Sequence, residues 1–205
     1  MRGETPRTIA ILFGDSAEYV WGLRHLFLLT LLVFLSSLII GYNLGGRLPG
    51  DPLEQLRRMI PNLKEMTPIG LFIFIAANNL AKSLIWMLMG ILFSLPPILF
   101  TILNGFYIGW VSHTSAEEHG LLLTITALAP HGLIELPTIL LSSAAGLALG
   151  YHAINRLRGR GSLQEELKKA IRLYIHYIAP LLILSALIEV SLTPMITRLV
   201  EGLIT

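Results

Sequence analysis

The chain has 205 residues, 54% of them hydrophobic and only 14% charged, with a mean hydropathy of +0.69, which excludes an ordinary soluble domain and implies a polytopic membrane protein. Its net charge of +2 and isoelectric point near 9.0 come from 15 Lys and Arg that flank the apolar runs instead of gathering in one stripe, so they read as topology determinants and not as a nucleic-acid surface. Cysteine is absent, which removes disulfides, thiolate metal sites and cysteine nucleophiles together.

No cleavable signal peptide is apparent in Met1 to Arg24, a mixed stretch containing Glu4, Asp15 and Glu18. Residues 8–24 carry Ile9, Ile11, Leu12, Phe13, Tyr19, Val20, Trp21 and Leu23, the pattern of a short helix on the membrane surface with Trp21 among the headgroups. Span one follows from His25 to Leu44, 20 residues whose only polar interior is Thr30, Ser36 and Ser37. That length crosses the ~30 Å hydrocarbon core, and the composition predicts a helix facing lipid on most sides. Asp51-Pro52-Leu53-Glu54 then starts an amphipathic interfacial helix, with a capping aspartate and a glutamate three residues on.

Span two, from Ile69 to Ser94, carries Asn78, Asn79, Lys82 and Ser83 near its middle, with the amides three and four residues from the ammonium on one face. A lysine near the bilayer centre costs roughly 2.5–3.5 kcal/mol, so it calls for a partner, Glu135 first and Glu189 second. The short turn Leu95-Pro96-Pro97 predicts an antiparallel hairpin with span three, Ile98 to His113. Asn104-Gly105 and then Gly109 make that span a close-packing helix through a GxxxG pattern. Ser112 to His119 is an edge rich in His113, Glu117, Glu118 and His119, with the two glutamates in water.

From Gly120 to Gly150 there are 31 residues, or ~46 Å of straight helix, more than one span needs. Pro130 therefore divides a short or re-entrant piece, Leu121 to Ala129, from a span beginning at His131. His131 and Glu135 lie four apart on one face between Pro130 and Pro137, and Ser142, Gly146 and Gly150 repeat at the same spacing as a second packing face. A basic connection with Arg156, Arg158, Arg160, Lys168 and Lys169 leads through the capping box Ser162-Leu163-Gln164-Glu165 into span five, Ile171 to Leu192. His176, Pro180 and Glu189 are its unusual members, and Met195 to Ile204 reads as a separate amphipathic piece after Pro194. The fold class is thus all-α, a single membrane domain over 1–205 with about five spans. With the amino terminus inside, nine Lys and Arg fall inside and five outside, which predicts a cytoplasmic amino terminus and an external carboxyl terminus in the plasma membrane.

Three readings of the intramembrane polar residues stand side by side. Asn78, Asn79, Lys82, Asn104, His131, Glu135 and Glu189 either fix the packing of spans two to five, or line a polar cavity for an ion, proton or small solute. In the third reading His131 and Glu135 are two ligands of a divalent metal such as zinc, completed by His113, His119 or Glu189. No His-Glu-x-x-His, Gly-x-Ser-x-Gly or phosphate-cradling loop supports catalysis, and His119 and His176 read as interfacial or packing residues.

Asn78-Asn79, Asn104-Gly105 with Gly109, and Pro130-His131-Gly132-x-x-Glu135-x-Pro137 followed by the small residues Ser142 to Gly150 resemble the stage II sporulation protein M family over residues 25–193. The resemblance implies a multi-pass membrane protein of bacteria or archaea with motif positions Asn78, Asn79, Asn104, Gly105, His131, Gly132, Glu135 and Pro137. In spore formers such a protein looks like a scaffold that works in engulfment with two partners, one a peptidoglycan-degrading hydrolase. Here it implies a membrane or cell-envelope interaction protein, or alternatively a channel or transporter. Packing faces at Gly105, Gly109, Gly132, Gly146 and Gly150 make a homo-oligomer plausible.

Overall fold

A computed structural model describes residues 17–52, 54 and 66–204, with the side chains of His131, Glu201, Leu203 and Ile204 outside that description. Most of the expected helix after Asp51 and the first half of the amino-terminal one lie outside the described residues. Residues 17–22 are helical, with Trp21 70% exposed. The helices that follow are α1 (Arg24–Gly45), α2 (Pro68–Leu88), α3 (Leu95–His119), α4 (Leu121–Leu157), α5 (Leu163–Leu173) and α6 (Ala179–Ile204). Among the described residues, five segments are long and apolar enough to cross a membrane: α1, α2 with the 3₁₀ turn that extends it to Ile91, α3, the Gly132–Leu157 part of α4, and the α5–α6 segment to Val200.

The organising helix is α4. In its apolar part 56% of the residues are buried, against at most 28% in any other span, and every residue from Ser142 to Gly150 is buried. Small side chains explain this, because they let neighbouring backbones reach the helix surface. Side chains built on Gly146 and Gly150 would sit 2.7 Å from Pro97 Cγ and from the Gly90 carbonyl, so the end of α2 and the start of α3 both rest on α4 there. The joining turn is Leu92–Ser94, not the Pro-Pro pair, and Pro96 and Pro97 occupy the first turn of α3, where a missing N–H costs nothing. Phe93 and Ser94 adopt left-handed backbone at φ 57° and 66°, and the Ser94 hydroxyl donates to the Leu147 carbonyl at 3.1 Å. The expected α2–α3 hairpin is therefore splayed: Trp86 stacks on Phe100 at 5.2 Å beside the turn, and beyond it the two helices follow α4 instead of each other.

Span one, expected to face lipid on most sides, is instead the main partner of α3. Thr30, Phe34, Ser37, Gly41 and Gly45 form its buried stripe and meet Thr101, Gly105 and Gly109 in parallel register. A side chain on Gly105 would lie 2.5 Å from the Phe34 carbonyl, one on Gly109 2.8 Å from the Tyr42 nitrogen and one on Gly41 2.8 Å from the Phe106 carbonyl carbon. The α1 glycines supply the half of the contact that the GxxxG pattern of α3 lacked by itself. Helical structure in α4 runs through Pro130 and Pro137, and its apolar parts, Leu121–Pro130 and Gly132–Leu157, meet at His131. Met195–Ile204, read as a separate piece, continues α6 without interruption past Pro194.

Candidate functional site

Three contacts set the antiparallel register of α4 against the α5–α6 segment. Ser185 Oγ donates to Glu135 Oε2 at 3.1 Å, Ser142 and Tyr174 meet on opposite sides of Ser83, and His152 Nε2 lies 3.6 Å from Glu166 Oε2. One turn beyond the Glu135–Ser185 contact, the same register sets His131 on α4 level with Glu189 on α6. Glu189 is half-buried there, while the His131 side chain lies outside the described ones. On the other flank, Thr124 Oγ1 donates to Ser115 Oγ at 2.9 Å and Ser94 reaches Leu147, an antiparallel register that sets Asn104 of α3 level with Glu135. The Asn104 Nδ2 amide is buried and, among the described residues, has no hydrogen-bond partner. Glu135, Ser185 and Asn104 thus occupy one layer of the bundle.

Lys82, for which Glu135 and Glu189 were the expected partners, is not in that layer. Ser142 Oγ donates to the Ser83 carbonyl at 3.0 Å, so α2 and α4 run parallel with Lys82 near the level of Ser142. Glu135 is seven residues away along α4, ~10 Å, and Glu189 is fifteen residues past Tyr174, ~22 Å. Lys82 is exposed and, among the described residues, makes no ion pair. It lies in the interior of the Pro68–Ile91 apolar segment, nine residues before its end. Asn78 Nδ2 donates to its neighbour Asn79 Oδ1 at 3.2 Å and both stay half-buried.

His113 lies elsewhere again. Its ring meets Tyr42 edge-on at 5.3 Å, its Nε2 is 3.3 Å from Glu117, and Gly45 and Gly46 leave the room it fills. The α3–α4 register places it about nine residues, ~14 Å, from Glu135, which separates it from the metal set proposed with His131 and Glu135. Among the described residues no group of three His, Asp or Glu could hold a metal ion. Of the expected packing glycines, Gly105, Gly109, Gly146 and Gly150 lie against neighbouring backbone or side chains, whereas a side chain on Gly132 would meet nothing within 4 Å.

Two polar ties were not legible as such. Tyr174 OH donates to the Leu80 carbonyl at 2.6 Å beside Ser83 Oγ, which donates to the same carbonyl at 3.2 Å. A π-helical turn over Tyr174–Ile178 carries that tyrosine between α5 and α6, a local widening of the helix that composition does not announce. Thr30 Oγ1, in the span expected to face lipid on most sides, reaches the Leu140 carbonyl at 3.3 Å. Hydroxyls within long apolar runs were the available clue, but nothing in the sequence says which carbonyl each one meets.

The sequence profile of a family described as Stage II sporulation protein M matches residues 30–194. An uncharacterized protein of Methanocaldococcus jannaschii is 30% identical over 173 residues, covering 82% of this chain and 94% of its own. A second uncharacterized protein of the same organism is 28% identical over 191 residues, covering 89% of this chain and 82% of its own. No solved structure matches.

Proposed function

The chain belongs to the stage II sporulation protein M family, and on that premise we propose that it is a membrane scaffold, a rigid helical hub whose outward faces bind other membrane-spanning segments. The observation that carries this reading is the use made of the intramembrane polar groups. Thr30, Ser83, Ser94, Ser115 and Ser185 join the other four spans to α4 by side-chain hydrogen bonds, so polarity is used to hold helices in place. The outward stripe Ile69, Ile73, Ala77, Ala81 and Ile85 of α2 is the association face, with Asn78 and Lys82 along its edge. Its occupants are a further copy of the chain or another membrane or cell-envelope protein. The hub sits in the plasma membrane as one domain, with its amino terminus cytoplasmic and its carboxyl terminus external.

One observation favours permeation instead: the unpartnered Asn104 amide at the level of Glu135, a buried donor and a carboxylate in the same layer. Flux measurements in liposomes separate the two. A scaffold gives proton and potassium flux no greater than protein-free liposomes, and Glu135→Gln keeps folding and oligomer size. Flux in the wild type that Glu135→Gln abolishes would replace the scaffold by a channel or transporter.

A further inference from the structure

Where the amino-terminal helical segment meets the bundle, a groove of about 270 Å³ opens between α1, α4 and α6, with Phe27, Pro137, Leu141 and Leu181 along its walls and Trp21 and Arg24 at one end. Thr138 also lines it but is 3% exposed, and its hydroxyl donates to the Ile134 carbonyl at 2.6 Å, so it adds little polarity. Depth follows from the register. Thr30 of α1 reaches the Leu140 carbonyl, and Arg24 lies six residues nearer the end that carries the basic connection, ~9 Å, as the first residue of the α1 span. Pro137 lies three residues from Leu140 in the other direction, ~4.5 Å. The groove thus runs ~13 Å from the membrane boundary into the hydrocarbon, with its charged group at the shallow end.

The shallow end is held in place. Tyr19 donates its hydroxyl to Glu166 Oε1 at 2.7 Å, a carboxylate only 5% exposed, and Leu23 packs in the core cluster with Leu173 and Tyr174. Tyr19 and Leu23 lie four apart on one helical face and pin it to the bundle, which leaves Trp21 and Arg24 outside that face at the mouth of the groove. Arg24 Nη1 donates to the Trp21 carbonyl at 3.0 Å, with the guanidinium 5.2 Å from the indole centroid. Among the described residues the exposed Arg24 makes no ion pair, and most of its five N–H donors remain for a ligand.

An occupant matched to this groove has a hydrocarbon body and one anionic end at the membrane boundary. A partner helix fills the apolar part but brings an anion to that depth only through a particular sequence, whereas a phospholipid always carries a phosphate there, and a guanidinium fork fits phosphate geometry. We propose that the groove binds one anionic membrane phospholipid, a lipid chain lying against Phe27, Leu141 and Leu181 and the headgroup phosphate resting on Arg24 beside Trp21. The site stands apart from the scaffold reading and holds equally for a channel.

Native mass spectrometry of the full chain, stripped of lipid in detergent and titrated with palmitoyl-oleoyl phosphatidylglycerol or the matching phosphatidylcholine, tests this. The wild type is expected to bind a first phosphatidylglycerol about fivefold more tightly than phosphatidylcholine, the effect of one basic side chain at a membrane surface. Arg24→Gln, at an exposed position, should keep the helix content and erase that preference, while Arg198→Gln on α6 should retain it. Leu181→Trp, which fills the groove, should weaken the uptake of both lipids, and if it fails to fold Arg24→Gln decides alone. A wild type without the preference, an Arg24→Gln variant that keeps it, or its equal loss in Arg198→Gln would each overturn the site. So would a Leu181→Trp variant that binds both lipids as before and instead loses a dimer seen in the wild type, which would make the groove a seam between two copies.

Discussion

Single residues in this protein act through the carbonyls they reach. The Tyr174 hydroxyl donates to a backbone carbonyl of α2 deep in the core cluster, and its removal leaves Ser83 Oγ as the side-chain donor to that oxygen. Tyr174→Phe is expected to destabilise the bundle by about 0.6–1.7 kcal/mol, the range of intramembrane hydrogen bonds, as read by denaturant titration in mixed micelles. Glu135 belongs to the same class, since it accepts from Ser185, a fully buried hydroxyl on α6. A divalent metal would demand three or four ligands, and His113 is held by Tyr42 and Glu117 at another level of α3. Elemental analysis of the purified protein, beside His131→Ala and Glu135→Gln, is accordingly expected to find no stoichiometric transition metal in any of the three. A metal present in the wild type and lost in both variants would establish the site first expected from the His131–Glu135 spacing.

Elements pair here according to where glycine and alanine let backbones approach, and not according to chain order. The α1–α3 contact is a parallel seam with small residues on both sides, so a branched side chain at its centre has only backbone to displace. Gly109→Val is expected to cost about 1–3 kcal/mol and to part the two helices, visible as lost cross-linking between cysteines introduced at Leu38 and Ile108, which line one cavity beside the seam. Gly132→Ala makes the contrast: its position is open, and exchanging a helical glycine for alanine should stabilise by about 0.5–1 kcal/mol in the same titration. The second seam, Gly90 with Gly146 and Gly150, wedges α4 into the α2–α3 turn and prevents the closed hairpin that a short loop alone suggests. Proline shows the same dependence on surroundings, because Pro130 and Pro137 lie inside α4 without ending it.

At the scale of the whole molecule, α4 is enclosed by four spans that each leave a large apolar surface outward, the form expected of a hub embedded in lipid or among partner helices. Because the chain has no native cysteine, single cysteines at Ser162 and Thr197 report sidedness directly. The Lys/Arg distribution predicts that a membrane-impermeant maleimide added to intact cells labels position 197 and leaves position 162 unlabelled. The reverse pattern would invert the topology. Five apolar segments, their approximate limits, the capping box at Ser162 and the family were legible in the sequence, because hydropathy and length answer directly to the thickness of a membrane and capping acts within one turn. The close-packing role of the small residues was legible too, but not their partners. A glycine stripe states that something approaches closely, and an intramembrane lysine states that a lipid-facing position is costly, yet neither states what lies opposite. Helix rotation and depth decided that α1 meets α3, that Lys82 lies a turn or more from Glu135, and that Ser185 and Tyr174 make the contacts. The physical reason is that spans in a bilayer share one hydrophobicity, so the pairing among them rests on shape and on a few hydrogen bonds that exist only once the bundle has formed.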